Sequence, residues 1–342
     1  MGHLLCCRKD NDFHQASKQA LLQLNRYVFD NGNNIHENNL KKIPLLSNDT
    51  NNLFENLKSK NGKFNLIFYD FDKNETIIIE KKLESLYTLE GLSELNYNNS
   101  LFLCGNSSPN GKKGSFLFEL NPFNPETQIL SKSIYSHYYP SLISIKNKNI
   151  YCIGGKNQLK CESYNTLENK WTPLPNLPEE RYLCTLCNDE LNNIVYLFGG
   201  INDSNKIQKN KLCIEYNYLF RLKNDINLGF IWEKIEINDN KNLLNRISSG
   251  TLIFEGQENY IYIFGGENDQ NHLLDDIIMF DIDTQSFHET NKTLEFPTKF
   301  LNQYAIKSDT NHYIYAFFDK FNNAIKIDKH NFVDFTFGEL II

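Results

Sequence analysis

A short apolar run that ends in two glycines returns three times along this chain of 342 residues. The run reads IYCIGG over 150–155, VYLFGG over 195–200 and YIFGG over 262–266, and weaker copies read LFLCGN over 101–106 and IYAFFD over 314–319. The steps between the first-glycine positions are 49, 45, 66 and 53 residues. A period of this size is typical of folds that stack one small unit many times. Because one four-stranded sheet fits the period, and 25 Phe and 18 Tyr suit strands, we predict an all-β fold.

Each glycine pair closes a run of four or five apolar residues, as expected for a strand that is buried on both faces. Glycine accepts positive φ and lets other backbone come close, so we expect the pairs at the points where the chain leaves these strands. The pairs comprise Gly154, Gly155, Gly199, Gly200, Gly265 and Gly266. In the weaker copies Asn106 and Asp319 take the second place, and both types tolerate a left-handed backbone.

Downstream of the glycine pairs, two aromatic residues recur at a fixed distance from each other. Six residues separate Tyr164 from Trp171, and six separate Phe280 from Phe287. The intervening residues favour turns, so each pair is predicted to face its partner across a tight hairpin. The last copy repeats the spacing with Ile325 and Phe332, whereas the third copy has fifteen residues between Tyr216 and Trp232.

Prolines at 173, 175 and 178 follow Trp171 and predict an extended link to the next sheet. The order of a glycine pair, Tyr164, Trp171, Leu-Pro and then Arg181 closely resembles the Kelch repeat. The resemblance spans residues 62–340. It implies a six-bladed Kelch-type β-propeller, the fold shared by galactose oxidase, with an inner strand of each blade lining a central channel.

We assign the propeller to residues 41–342 and a short helical or disordered extension to residues 1–40. Residues 64–80 are predicted to supply two outer strands of the first blade. Either residues 41–58 or the tail at 337–342 completes that blade and closes the ring.

The chain begins MGHLLCCRKD, in which Gly2 is followed by Cys6 and Cys7. This pattern resembles a site of N-myristoylation with adjacent palmitoylation, although position six usually holds Ser or Thr. The alternative is a plain disordered terminus. An apolar stripe predicts one amphipathic helix over 13–29, and the extension is too short for a BTB domain.

Charge and hydropathy exclude other classes. A net charge of −7 without a dense Lys/Arg run argues against nucleic-acid binding. The sequence has neither a membrane-spanning apolar run nor a secretory signal, so we expect a cytoplasmic monomer, at the face of a membrane if acylated, with eight reduced cysteines.

Recognisable catalytic patterns are missing from the sequence, so we expect a protein that is not an enzyme and holds no cofactor or metal. The pair Cys184 and Cys187 has no second pair at zinc-ligand spacing. His137 is predicted on an inner strand, where it lines the channel, is packed in the core or is solvated. The copper ligands of galactose oxidase have no recognisable counterparts.

The leading hypothesis is an interaction scaffold that binds a protein partner of unknown identity. The alternatives are an enzyme or carbohydrate-binding propeller with a site at the channel mouth, and an actin or cytoskeleton binder. Loops after the glycine pairs, at 156–160, 201–211 and 267–274, are the candidate contact regions. The candidate residues within them are Lys156, Asn202, Asp203, Asn268 and Asp269.

Overall fold

The structure is a computed structural model, and every regular element in its described residues is a β-strand. The residues that it describes are 42–46, 63–70, 75–82, 92–97, 100–107, 115–120, 128–145, 148–202, 218–237, 243–247, 249–253, 259–268, 270–293, 307–308, 313–317 and 324–328. The all-β prediction is confirmed for this part of the chain. The predicted helix over 13–29 lies outside it.

The strands form six antiparallel sheets that follow one another along the chain. The first two sheets contain β1 (Lys42–Leu46), β2 (Lys63–Asp70) and β3 (Glu75–Lys82), then β4 (Leu92–Tyr97), β5 (Ser100–Ser107), β6 (Ser115–Leu120) and β7 (Gln128–Ile129). The third and fourth contain β8 (Ser141–Ile145), β9 (Asn149–Ile153), β10 (Cys161–Asn165) and β11 (Lys170–Leu174), then β12 (Thr185–Asp189), β13 (Ile194–Phe198), β14 (Tyr218–Asp225) and β15 (Gly229–Glu236). The last two contain β16 (Gly250–Ile253), β17 (Tyr260–Glu267), β18 (Leu273–Asp281) and β19 (Ser286–Thr293), then β20 (Lys307–Ser308), β21 (Tyr313–Phe317) and β22 (Ala324–Asp328).

Of the two segments considered for completing the first sheet, residues 41–58 supply a strand. Strand β1 pairs with β2, and β2 pairs with β3 in the hairpin predicted over 64–80. The tail at 337–342 lies outside the described residues.

The first strands of neighbouring sheets lie side by side, with β4 next to β8, β8 next to β12 and β12 next to β16. The hydroxyl group of the residue that begins β8 or β12 donates to the backbone carbonyl of the residue directly before the first strand of the following sheet. Ser141 Oγ donates to the carbonyl of Cys184 at 3.2 Å, and Thr185 Oγ1 donates to the carbonyl of Ser249, also at 3.2 Å. Four-stranded sheets joined in this repeated way are consistent with the expected Kelch propeller.

The hydrophobic core lies between consecutive sheets. One cluster includes Leu117 of the second sheet and Ile150 of the third, and another includes Ile153 of the third sheet and Leu197 of the fourth. A strand that carries the glycine pair therefore buries both of its faces, and β9 and β13 are buried at every position after the first. This explains why the repeat reads as a continuous apolar run and does not alternate.

The glycine pairs occupy the backbone positions that the sequence predicts. Gly154 and Gly199 have φ values of 59° and 55°, in the left-handed region. A Cβ on Gly199 would also overlap the carbonyl oxygen of Arg246, which belongs to the segment entering the next sheet. Glycine is therefore required both for the turn and for the close approach of the neighbouring sheet.

The predicted aromatic hairpins are confirmed. Tyr164 pairs with Trp171 between β10 and β11, and Phe280 pairs with Phe287 between β18 and β19, with ring centroids 5.1 Å apart in each pair. Trp232 lies opposite Leu222. Its other predicted repeat position, Tyr216, lies outside the described residues.

Both tryptophans make the same tertiary bond. The indole N–H of Trp171 donates to the carbonyl of Ser131 at 2.8 Å, and that of Trp232 donates to the carbonyl of Pro175 at 3.0 Å. Each acceptor lies in the segment that enters the tryptophan's own sheet. Trp232 therefore takes the place of Trp171 in its sheet despite the irregular spacing.

Candidate partner-binding face

The connections at one end of the sheets gather into one surface, which we call the loop face. We call the chain that leads from the last strand of one sheet to the first strand of the next a crossing segment. Because strands alternate in direction, the loop after each second strand and the crossing segment into the next sheet emerge at the same end. In the described residues the loop face comprises 133–140, 154–160, 175–184, 199–202, 243–247, 267–268 and 270–272. The candidate loops from the sequence lie on this face wherever they are described.

The loop 154–160 is held between crossing segments on both of its sides. The backbone N–H of Lys156 donates to the carbonyl of Tyr138 at 2.7 Å, towards the segment that enters its own sheet. The backbone N–H of Asn157 donates to Glu180 Oε1 at 2.6 Å, towards the segment that enters the next sheet. Two consecutive residues thus fix this loop to two separate parts of the chain.

Lysine and tyrosine side chains pair on this part of the loop face. The Nζ of Lys156 lies 5.7 Å from the ring centroid of Tyr182, and the Nζ of Lys160 lies 5.4 Å from that of Tyr135. These distances are within the range of cation–π attraction. The contacts orient two cationic groups over neighbouring crossing segments.

Two large residues of the crossing segments adopt a backbone conformation with positive φ, which residues of this size rarely adopt. Tyr139 has φ 53° and Leu183 has φ 54°. Each lies two residues before the first strand of its sheet, β8 or β12. Positive φ in residues of this size costs about 1–3 kcal/mol, so the surrounding structure imposes the same strained entry on two successive sheets.

The remaining predicted contact residues differ in their surroundings. Asn268 uses its Oδ1 to accept the N–H groups of Gln270 and His272, both at 3.0 Å, so this side chain shapes its own loop. Asn202 is 5% exposed, which corrects the expectation that its side chain is available to a partner. Asp203 and Asp269 lie outside the described residues.

A buried anchor residue lies in the segment that enters each of three sheets, and the sequence analysis did not assign this role to it. Nη1 of Arg181 donates to the carbonyl of Gly199, and Nη1 of Arg246 donates to the carbonyl of Gly265, both at 3.0 Å. In the third sheet His137 Nδ1 lies 2.7 Å from the corresponding carbonyl, that of Gly154.

The three anchors share a sequence position. Each stands four residues before the first strand of its sheet, and it lies 17, 18 or 19 residues before the first glycine that it contacts. Arg181 was visible as part of the repeat. This spacing is the signal that would have identified the other two anchors.

The expectation that His137 lies on an inner strand is wrong. His137 lies in the crossing segment before β8, is 0% exposed and contacts Glu162 of β10. Of the three outcomes considered, a channel-lining, a packed or a solvated histidine, the packed one holds. The segment carries backbone hydrogen bonds to other sheets in place of a strand ladder, because it must pass from one sheet to the next.

The lipidation residues Gly2, Cys6 and Cys7 lie outside the described residues. Within the part of the chain that the structure describes, no helix is long and apolar enough to cross a membrane. The same residues contain no group of three or more His, Cys, Asp or Glu side chains arranged to hold a metal ion.

Comparison with known proteins gives one family match. Residues 257–292 match the Kelch motif. This segment covers β17, β18 and most of β19, including the Gly265–Gly266 pair and the Phe280–Phe287 hairpin. No curated protein matches the sequence. The Kelch motif, within a succession of like sheets, supports the placement of this chain in the Kelch-repeat family.

Proposed function

We propose that this chain is a protein-interaction scaffold, a six-bladed Kelch propeller whose loop face binds a protein partner. The observation that carries the proposal is the loop 154–160, which is hydrogen-bonded to a crossing segment on each side. A surface held in this way loses little conformational entropy on binding. The six consecutive sheets among the described residues support the blade number.

The chemistry of the loop face near the third sheet suits a protein partner. Ile134 and Leu159 are 44% and 40% exposed, and they flank the contact between Tyr135 and Lys160. Exposed apolar and aromatic side chains bordered by charged ones are typical of the regions that dominate binding energy at interfaces.

The proposal is one of binding and not of catalysis. Burial raises the pKa of the Cys161 and Cys187 thiols to about 12. Protonated, buried thiols are poor nucleophiles, so these two residues are better explained as packing groups.

Proximity labelling in cells with matched charge reversals tests the partner-binding proposal. Lys160→Glu changes the loop face, and Lys170→Glu makes the same change at the opposite end of the third sheet, where Lys170 is exposed. We expect Lys160→Glu to reduce labelling of a specific neighbour at least about tenfold, as for an interface hot spot, and Lys170→Glu to leave it unchanged. Equal labelling by both variants and the wild type would contradict the proposal.

We further propose that acyl groups on Gly2, Cys6 and Cys7 tether the scaffold to the cytoplasmic face of a membrane. Two acyl chains anchor a protein stably, whereas a single myristoyl chain binds only marginally. Metabolic labelling with clickable myristate and palmitate tests this. We expect Gly2→Ala to abolish the myristate signal and to move the protein to the soluble fraction. An unlabelled wild type that fractionates like the variant would refute the tether.

A further inference from the structure

The third sheet differs from its two successors in the chemistry of its anchor. The fourth and fifth sheets use Arg181 and Arg246, which are permanently charged, to bind the carbonyl of the first glycine. Arg246 also forms a two-pronged bond with the carboxylate of Asp276, with both N···O distances at 2.9 Å. The third sheet has His137 at this position, and the carboxyl group that pairs with it is that of Glu162.

The hydrogen-bond partners of His137 restrict where its protons lie. The carbonyl of Gly154 can only accept, so the Nδ1 that lies 2.7 Å from it must donate. Nε2 lies 2.7 Å from Glu162 Oε1, which requires one proton between these two atoms. The ring is therefore either an imidazolium beside a carboxylate or a neutral ring beside a protonated Glu162.

The other partners of Glu162 favour the carboxylate. Its Oε2 accepts the backbone N–H of Ile134 at 2.9 Å, and its Oε1 accepts that of Tyr135 at 3.3 Å. Hydrogen bonds donated by backbone N–H groups stabilise the ionised form of a carboxyl group. A buried carboxylate then needs a cation, since an unpaired buried charge is costly.

The thiols near Glu162 carry no positive charge, and within the described residues His137 is the group that forms an ion pair with it. Glu162 is close to the thiols of Cys152 and Cys161. Burial raises the pKa of Cys161 to about 12 and that of Cys152 well above its ordinary range, so both thiols are uncharged. The hydroxyl of Ser115, which bonds to the backbone N–H of His137 at 2.6 Å, is neutral as well.

We propose that His137 is protonated on both ring nitrogens in the folded protein, and that the His137–Glu162 pair positions the loop face of the third sheet. The pair replaces the arginine anchor of the next two sheets. Through Glu162 it holds the backbone of residues 134–135, and through Gly154 it holds the start of the loop 154–160. Its effect on partner binding rests on the proposed function, whereas the charge state and the positioning do not.

The charge state is tested by nitrogen NMR on the full chain with ¹⁵N-labelled histidine at pH 7.5. The loss of a signal in His137→Gln assigns the ring among the eight histidines. We expect both nitrogens of His137 to carry protons in the wild type. In Glu162→Gln the amide N–H₂ can donate to Nε2, so we expect Nε2 to lose its proton. An unprotonated Nε2 in the wild type, or the same protonation in both proteins, overturns the proposal.

The positioning role is tested by amide hydrogen exchange, which needs no partner. We expect His137→Leu to speed exchange of the Ile134 and Tyr135 amides at least about tenfold, and His137→Arg to keep it within about threefold of the wild type. The Tyr182 amide, bonded to Ile201 at 3.1 Å in the next sheet, is the internal control and should not change.

Loss of protection at all three amides in His137→Leu, together with failure of His137→Arg to restore it, would show a general structural role and overturn the positioning. If His137→Leu does not fold, Glu162→Leu takes its place in the same comparison, because leucine, unlike glutamine, cannot accept the N–H groups of Ile134 and Tyr135. Unchanged exchange of Ile134 and Tyr135 in that variant would also overturn the positioning. Failure of the partner-binding proposal would leave these measurements unaffected, so the two are distinguishable.

Discussion

The two ends of the sheets are held by different kinds of hydrogen bond. At the hairpin end, formed by the turns 165–170, 225–229 and 281–286, each turn is closed by its own first residue. Asn165 Oδ1 accepts the N–H groups of the second and third residues after it at 2.9 and 3.0 Å, and Asp225 and Asp281 act in the same way. The bonds that close these turns need only local sequence.

At the loop face the bonds join residues that are far apart in the chain. The N–H of Gly155 donates to the carbonyl of Arg181 at 3.1 Å, and the N–H of Gly200 donates to that of Arg246 at 3.2 Å. Each bond connects one sheet to the segment that enters the next. The loops of the loop face are therefore held by bonds to other segments of the assembled fold, whereas each turn of the hairpin end is closed by bonds within the turn.

A pair of glycine substitutions should show the largest contrast between the two ends. Gly199→Ala puts a Cβ against the carbonyl oxygen of Arg246 and strains a φ of 55°, so we expect a loss of about 4 kcal/mol in unfolding free energy. Gly229→Ala, at the hairpin end with φ 73° and open space around it, should lose only about 1 kcal/mol. Urea denaturation measures both, and equal losses would contradict the comparison.

Removing an arginine should have the next largest effect. Arg246→Met removes the partner of the Asp276 carboxylate, which is 36% exposed, and one of the two donors to the Gly265 carbonyl, so we expect a loss of about 2 kcal/mol. Arg221→Met removes a partly exposed pair with Glu233 at 2.7 Å and should cost below about 1 kcal/mol. Similar urea midpoints for the two variants would show that the Arg246 anchor stabilises the fold no more than the Arg221–Glu233 pair does.

A turn residue at the hairpin end should matter less. Asn165→Ala removes two local hydrogen bonds to exposed backbone, so we expect a loss below about 1 kcal/mol and no change at the loop face. Hydrogen exchange of the Lys156 and Gly155 amides reports on the loop face. Faster exchange there would show that the two ends are coupled after all.

Acid should reveal the smallest effect. The backbone N–H groups of Asn227 and Leu228 lower the pKa of the Asp225 carboxyl. A carboxyl with a lowered pKa stabilises the folded state above its unfolded pKa of about 3.9, and this stabilisation is lost as the pH falls through the folded pKa. As the pH is lowered from about 5, the midpoint temperature of thermal unfolding should therefore fall slightly less steeply for Asp225→Asn than for the wild type. If the midpoint temperatures of the two proteins fall in parallel, the Asp225 carboxylate does not contribute to the pH dependence of stability.

Much of the architecture was predictable from the sequence because the repeat carries it locally. The glycine pairs follow strands buried on both faces, and each six-residue spacing places Tyr164 opposite Trp171 or Phe280 opposite Phe287. A hairpin needs only neighbouring residues, so its register follows from spacing alone.

The candidate site was less predictable. His137 was expected on an inner strand and lies in a crossing segment, and Asn202 was expected at the surface and is buried. Both depend on how a segment without regular structure packs against another sheet. The place of Trp232 opposite Leu222 also departs from the repeat spacing.

Residue order along the chain was enough to specify the repeat unit, its turns and its apolar strands, because the hydrogen bonds of each hairpin join segments that are neighbours in the chain. The anchors at His137, Arg181 and Arg246, and the face they support, emerge only when a segment without regular structure packs against the strands of its sheet. Their partners lie in other strands, and a buried charge or carbonyl acquires its partner only when the fold brings the two together.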